Sequence, residues 1–198
     1  MFDRYFTEQE EKQLFKTVSS FKDILARRDD ALMRLLRSTG IRVGSLVRLT
    51  VGDARQALQS DYLHYTGKGS QGKGPKAGKV LVTKKARQAL IDLLSIRKKQ
   101  GHPDLQDAQL IMSRENRGIT IRQIENRVRF WANAAGIEGN VSPHWFRHTV
   151  GKRIMKNSSA RDPRGVAKSV LNHSSFNSTS IYTEADKEEV ERTMREIA

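Results

Sequence analysis

Apolar residues recur along this chain at spacings of three and four over most of its length, the signature of helices that bury one face. The first run follows Thr7, with Glu10 three positions on, a pair that caps a helix start by reciprocal bonds to its orphan backbone donors. Leu14, Phe15, Val18 and Phe21 then fall on one face. A second helix is predicted from Asp29 to Thr39, with Leu32, Leu35 and Leu36 as its stripe and Gly40 as its stop. Leu46, Val47 and Leu49 predict a short third helix.

From about Leu58 the period shortens to two. Tyr62-Leu63-His64-Tyr65 and Lys79-Val80-Leu81-Val82 read as strands flanking GKGSQGKGPKAG, and Tyr62 and Tyr65 as packing residues. That intervening stretch holds no apolar residue larger than Ala77, so it is expected to be an exposed, mobile hairpin tip. Helical spacing returns at Thr83 through Ala86, Leu90, Leu93 and Leu94, ending near Gly101 and Pro103. Leu110-Ile111-Met112 reads as a third short strand. Thr120 opens a helix carrying Ile124, Val128, Trp131 and Ala135, with Gly136 as its cap, and Pro143 opens another at His144-Trp145-Phe146-Arg147. A short helix over Val166 to Leu171 and a charged one from about Asp186 complete the chain. Val190, Met194 and Ile197 form a stripe on the last, which must dock on the domain or on another molecule. The pattern is α+β and mainly helical, with a small antiparallel sheet carrying a lysine-rich hairpin.

Charge changes the picture more than composition does. The 198 residues are 37% hydrophobic, an ordinary globular share, but 36 Lys and Arg against 22 Asp and Glu leave a net +14. Such an excess implies a polyanionic partner, nucleic acid first and a membrane surface second. No apolar run is long enough to span a bilayer, and the first residues lack the apolar core of a signal peptide, so a cytoplasmic protein is expected. The absence of cysteine removes disulfides, thiolate zinc sites and cysteine nucleophiles. The acidic residues are scattered, with no carboxylate pair and His at ligand spacing, which excludes a two-metal nuclease. Gly67-Lys68-Gly69 fails the phosphate-loop pattern and lies between strands, which excludes nucleotide hydrolysis.

What remains is phosphodiester chemistry with no metal or other cofactor. It needs cations on the phosphorane, a nucleophile, and an acid for the leaving oxygen. Arg42 stands where one helix has ended and another begins, and His144 and Arg147 share a helical face three residues apart. His173 follows a short apolar helix, and Tyr182 lies nine residues on in a polar segment. Taken singly, each has a plainer explanation: a solvated arginine, a packed histidine, a surface tyrosine.

Taken in order, Thr39-Gly40-Ile41-Arg42, Lys68 in a hairpin, His144-Trp145-Phe146-Arg147-His148-Thr149, His173-Ser174-Ser175 and Ile181-Tyr182-Thr183 resemble the catalytic domain of the tyrosine recombinases, the phage integrase family. The resemblance runs from Phe6 to the terminal helix. It implies that Arg42 and Arg147 clamp the scissile phosphate, that His144 and His173 bond its oxygens and assist proton transfer, and that Lys68 protonates the leaving 5′ oxygen, with Lys73 as the alternative. Tyr182 would attack phosphorus to form a 3′-phosphotyrosyl link.

The chain departs from the family pattern at Ser45, where an acidic residue is common, and at Asn172, where a glycine usually precedes the histidine. On the resemblance, residues 1–198 are one catalytic domain without the N-terminal core-binding domain of most relatives, either as a minimal protein or as an excised domain. The expected partner is double-stranded DNA, held by a homotetramer linked through the C-terminal helix. Lys73, Lys76, Lys84, Lys85, Arg87, Arg122, Arg127, Lys152 and Arg153 are the expected DNA contacts. The rival readings are a non-catalytic DNA-binding regulator of the same fold and a basic RNA-binding protein.

Overall fold

A computed structural model describes residues 4–67, 74–172 and 195. The chain divides into two compact units, one up to Val150 and one from Gly151. The first contains α1 (Glu8–Ser20), α2 (Ile24–Thr39), α3 (Val43–Leu46), α4 (Val51–Ser60), β1 (Tyr62–Thr66), β2 (Ala77–Leu81), α5 (Lys84–Lys99) and α6 (Ile121–Ala134). α7 (His144–Asn157) begins in the first unit and ends in the second, and α8 (Pro163–Val170) belongs to the second.

Local capping chemistry sets most of these boundaries. Thr7 Oγ1 accepts from the Glu10 N–H while Glu10 Oε2 accepts from the Thr7 N–H, so α1 starts where its sequence predicts. α2 starts earlier than Asp29, because the Asp23 carboxylate accepts from the Leu25 and Ala26 N–H groups. It stops at Gly40, whose φ of 64° is a conformation that favours glycine. Thr120 caps α6 by the same reciprocal box with Gln123, while Thr83 caps α5 by accepting from the Ala86 N–H alone.

Three elements differ from the sequence reading. α4 is a helix where none was expected, capped by Thr50 and Asp53 in a reciprocal box. Leu110-Ile111-Met112 is not a strand of the sheet; its surroundings hold two isolated bridges, Thr50 to Gln109 and Met112 to Gly118. Tyr62 is exposed, with Lys79 Nζ 5.4 Å from its ring centre, whereas Tyr65 packs as expected. The sheet is a two-stranded antiparallel ribbon with Leu63 opposite Val80 and Thr66 opposite Ala77. Residues 68–73 of the expected hairpin tip lie outside the described residues, as does all but Arg195 of the helix expected from Asp186.

α2 is the centre of the first unit. Leu32, Met33, Leu35 and Leu36 are all buried, which only a helix enclosed on several sides permits, and α5, α1 and α6 pack around it. It also carries a buried ionic knot. Asp29 is fully buried; its Oδ1 accepts two bonds from Arg28, at 3.0 and 2.7 Å, and its Oδ2 accepts from Arg127 Nε at 2.5 Å and Trp131 Nε1 at 2.9 Å. A carboxylate out of water must have its lone pairs filled, and the two bonds from Arg127 and Trp131 tie α2 to α6.

At the end of α5, Arg97 donates to the carbonyls of Pro103 and Gln109 and so pins the loop that returns to α4. Burial, together with the Arg97 guanidinium, holds the His102 imidazole below its usual value of 6.5. Because the folded value is the lower one, the unfolded chain takes the proton first as pH falls. The stability contributed here is complete above about pH 6.5 and is lost on acidification below it.

Two outcomes are expected. Asp29→Ala should remove about 3–5 kcal/mol of unfolding free energy, read from the denaturant midpoint at unchanged slope, because Arg28 is left buried without its partner. A loss under about 1 kcal/mol would contradict the knot's role. His102→Gln should flatten the fall of stability between about pH 7 and pH 5, and an unchanged slope would contradict the account of His102.

Candidate active site

The site is built at the corner that follows α2. Thr39 Oγ1 donates to the Leu35 carbonyl at 2.7 Å, the Gly40 N–H donates to Leu36 O at 2.8 Å, and buried Ile41 anchors the turn. Arg42 follows in extended conformation at the N-cap of α3, and its carbonyl accepts from the Ser45 and Leu46 N–H groups at 2.8 and 3.0 Å. The Arg42 side chain is half-buried. Ser45, at the position of the family's acid, is buried.

The start of α7 is brought to this corner. Trp145 and Phe146 are buried and meet the Phe6 ring at centroid distances of 5.3 and 4.8 Å. Thr149 Oγ1 donates to Trp145 O at 2.7 Å and accepts from the Phe6 N–H at 3.0 Å. Held on this apolar footing, Arg147 is only 3% exposed, and its Nη1 donates to Gly40 O at 2.7 Å. Two arginines 105 positions apart (147 − 42) therefore serve one corner, Arg42 two residues beyond the carbonyl that Arg147 grips. His144, exposed at the first turn of α7, lies on the Arg147 side of the helix; its ring meets that of buried His148 edge-on at 4.9 Å. An exposed imidazole on the same helical face as a buried guanidinium suits an oxyanion with two or more acceptor oxygens.

The structure thus brings Arg42, His144 and Arg147 to the first unit. Lys68, Lys73, His173 and Tyr182 lie outside the described residues. Asn172, just before His173, has φ 49°, so it adopts the left-handed turn that the sequence demands of it, as Asn does more readily than most residues.

The expected DNA contacts divide. Lys76, Lys84, Lys85 and Arg122 are exposed. Arg87 instead donates to Leu58 O and pairs with Asp61, and Arg127 is committed to Asp29 while it stacks on Phe130 and Trp131. Both therefore have structural duties that charge alone did not reveal. Lys152 and Arg153 are half-buried in the second unit. Sequence reasoning also missed Arg48, whose Nη2 donates to Thr66 O at 2.9 Å. It borders a cleft of about 220 Å³ lined by Ser45, Asp53, His64 and Tyr65 at the root of the hairpin.

No group of three or more His, Cys, Asp or Glu placed to hold a metal ion occurs among the described residues. No helix among them is long and apolar enough to cross a membrane.

Comparison with known proteins gives a consistent result. Residues 4–189 match the model of the phage integrase family. The tyrosine recombinase XerC of Neisseria gonorrhoeae is 34% identical over 170 residues, covering 86% of this chain and 51% of that protein. XerC of Azotobacter vinelandii is 34% identical over 164 residues, covering 83% and 50%. The crystal structure of XerA recombinase superposes with a TM-score of 0.76 at 26% identity, over 98% of this chain and 63% of that one. XerH recombinase bound to its palindromic difH substrate superposes at 0.73 and 17% identity, over 98% and 53%. The chain spans about half the length of these XerC relatives.

The corner makes a direct prediction. Arg147→Lys keeps the charge but loses the planar donor on Gly40 O, so stability should fall by about 2 kcal/mol. Hydrogen exchange of the Ser45 and Leu46 amides should accelerate with it. Unchanged exchange at both amides would contradict the claim that Arg147 holds this turn.

Proposed function

The chain belongs to the phage integrase family, the tyrosine recombinases, and on that premise we propose that it performs site-specific DNA recombination by cleaving and rejoining strands through a tyrosyl intermediate. The observation that carries this reading is the bond from Arg147 to Gly40 O, which ties the start of α7 to the turn two residues before Arg42.

In the proposed reaction Arg42 and Arg147 hold the non-bridging oxygens of the scissile phosphate. Arginine suits this because its fork stays charged and gives parallel bonds that strengthen as charge builds in the transition state. The Tyr182 oxygen attacks phosphorus, the bond from phosphorus to the 5′ oxygen breaks, and Lys68 gives that oxygen its proton. His144 and His173 bond the phosphate and move the proton that Tyr182 gives up. A tyrosine hydroxyl with an ordinary pKa of about 10 needs such help at neutral pH. The 3′-phosphotyrosyl link keeps the energy of the broken bond, so attack by a free 5′ hydroxyl restores the DNA without ATP.

The net charge of +14 supports a duplex partner, with Lys73, Lys76, Lys84, Lys85, Arg122, Lys152 and Arg153 as backbone contacts. Relatives of this fold are seen on DNA: XerH on difH, and lambda integrase as a dimer on a COC′ core site. We place this chain on DNA as a homotetramer joined through its C-terminal segment, since exchange between two duplexes requires four cleavages. The two units act in this reading as one catalytic domain.

Covalent trapping tests it. Duplexes selected for binding from a randomised pool, then nicked so that the cleaved end diffuses away, are incubated with the protein in chelator. A denaturation-resistant adduct should form and should vanish in Tyr182→Phe. Tight binding without an adduct, or an adduct that survives the substitution, would contradict the assignment.

A further inference from the structure

In sequence the lysine of the proposed reaction falls between β1 and β2, a ribbon of only two five-residue strands, and such a ribbon is marginal without a brace. Its far end is tied down: the Val82 N–H donates to Asp61 O at 2.8 Å, and Ser60 Oγ to Tyr62 O at 3.2 Å. At the tip end the Gly67 N–H donates to Lys76 O at 2.7 Å, which closes the ladder. There Arg48 reaches across from outside the ribbon to the carbonyl of Thr66, two residues before Lys68.

Where Arg48 comes from matters as much as where it ends. It follows the turn of α3, its own N–H donating to Ser45 O at 3.2 Å, and the Ser45 N–H donates in turn to Arg42 O at 2.8 Å. A short run of hydrogen bonds therefore leads from the backbone of the phosphate-holding Arg42 to the strand that delivers the lysine. We propose that Arg48 is a positioning residue, which fixes the root of the hairpin relative to Arg42 and so sets the distance from the lysine to the leaving oxygen. The inference rests on the recombinase reading above and holds whether Lys68 or Lys73 is the acid, because both lie within three residues of the Gly67 to Lys76 pair. An exposed arginine on a carbonyl adds little to stability, so the bond's effect is geometric, and reaction rates respond steeply to geometry.

The test separates proton delivery from folding and binding. Arg48→Ala, Arg48→Lys and the unaltered chain are compared on two nicked suicide duplexes, one ordinary and one with sulfur in place of the bridging 5′ oxygen. A thiolate, whose conjugate acid has a pKa near 8.5, leaves without an acid's help, so a fault in proton delivery disappears on that duplex. Arg48→Ala should slow cleavage of the ordinary duplex by about tenfold or more, with duplex affinity unchanged, and should cleave the sulfur duplex at the unaltered rate. Arg48→Lys, which can still donate to Thr66 O, should fall between. Equal slowing on both duplexes, or no slowing on either, overturns the proposal. The recombinase reading is judged separately on the unaltered chain: it fails if that chain forms no Tyr182-dependent adduct on either duplex.

Discussion

A buried guanidinium that donates to the carbonyl of Gly40 ties the first turns of α7 to the end of α2, and the site depends on that tie. Each side is prepared by different physics. Gly40 exposes its carbonyl because the chain turns through a left-handed residue there, and Arg147 is held in place because Trp145, Phe146 and Phe6 pack around the same helix start. The apolar contacts supply rigidity, and the guanidinium converts it into placement. Arg42 needs only to follow two residues later to stand at the same corner. Under the proposed function, a phosphate held by both arginines would be stabilised most when its charge is greatest, which is what a cleavage reaction requires.

Support for this corner comes from further inside. The carboxylate of Asp29 gathers Arg28, Arg127 and Trp131, and thereby keeps α2 and α6 in register beneath the site. At the positions where the family pattern is broken, the structure shows what replaces it. Ser45 is buried and takes part in the turn of α3 through its backbone, and Asn172 turns through φ 49° where glycine is usual. Three residues beyond Ser45, Arg48 reaches the hairpin, its Nη2 donating to Thr66 O.

The sequence disclosed what local chemistry decides. The Thr7 and Glu10 pair, the glycine after Thr39 and the threonine before Ile121 each act within four residues, so their spacing suffices to read them. α4 carries the same kind of signal, Thr50 and Asp53, but its ten residues hold few large apolar side chains, and the pattern of the following strand masked it. Leu110 to Met112 looked like a strand because it is apolar; it is held by single bonds to Leu49 and from Ile119, too few to extend a sheet. Arg127 was read as a DNA contact because nothing near it in sequence hints at Asp29, 98 positions away. Arg48 was missed for the same reason: its partner is a backbone carbonyl, which no side-chain pattern announces. The order of Arg42, His144 and Arg147 was legible, whereas the bond from Arg147 to the Gly40 carbonyl was not.

The central claim is that Arg42 and Arg147 act on one phosphate, and a double-mutant cycle measures it most directly. Single-turnover cleavage rates are taken for the unaltered chain, Arg42→Lys, Arg147→Lys and the double variant on one suicide duplex. Two groups sharing one charge centre should be coupled, so the double variant should lose less than the sum of the single losses by at least about 1 kcal/mol. Losses that add within about 0.5 kcal/mol would show that the arginines act independently, and would contradict the shared corner as the seat of catalysis.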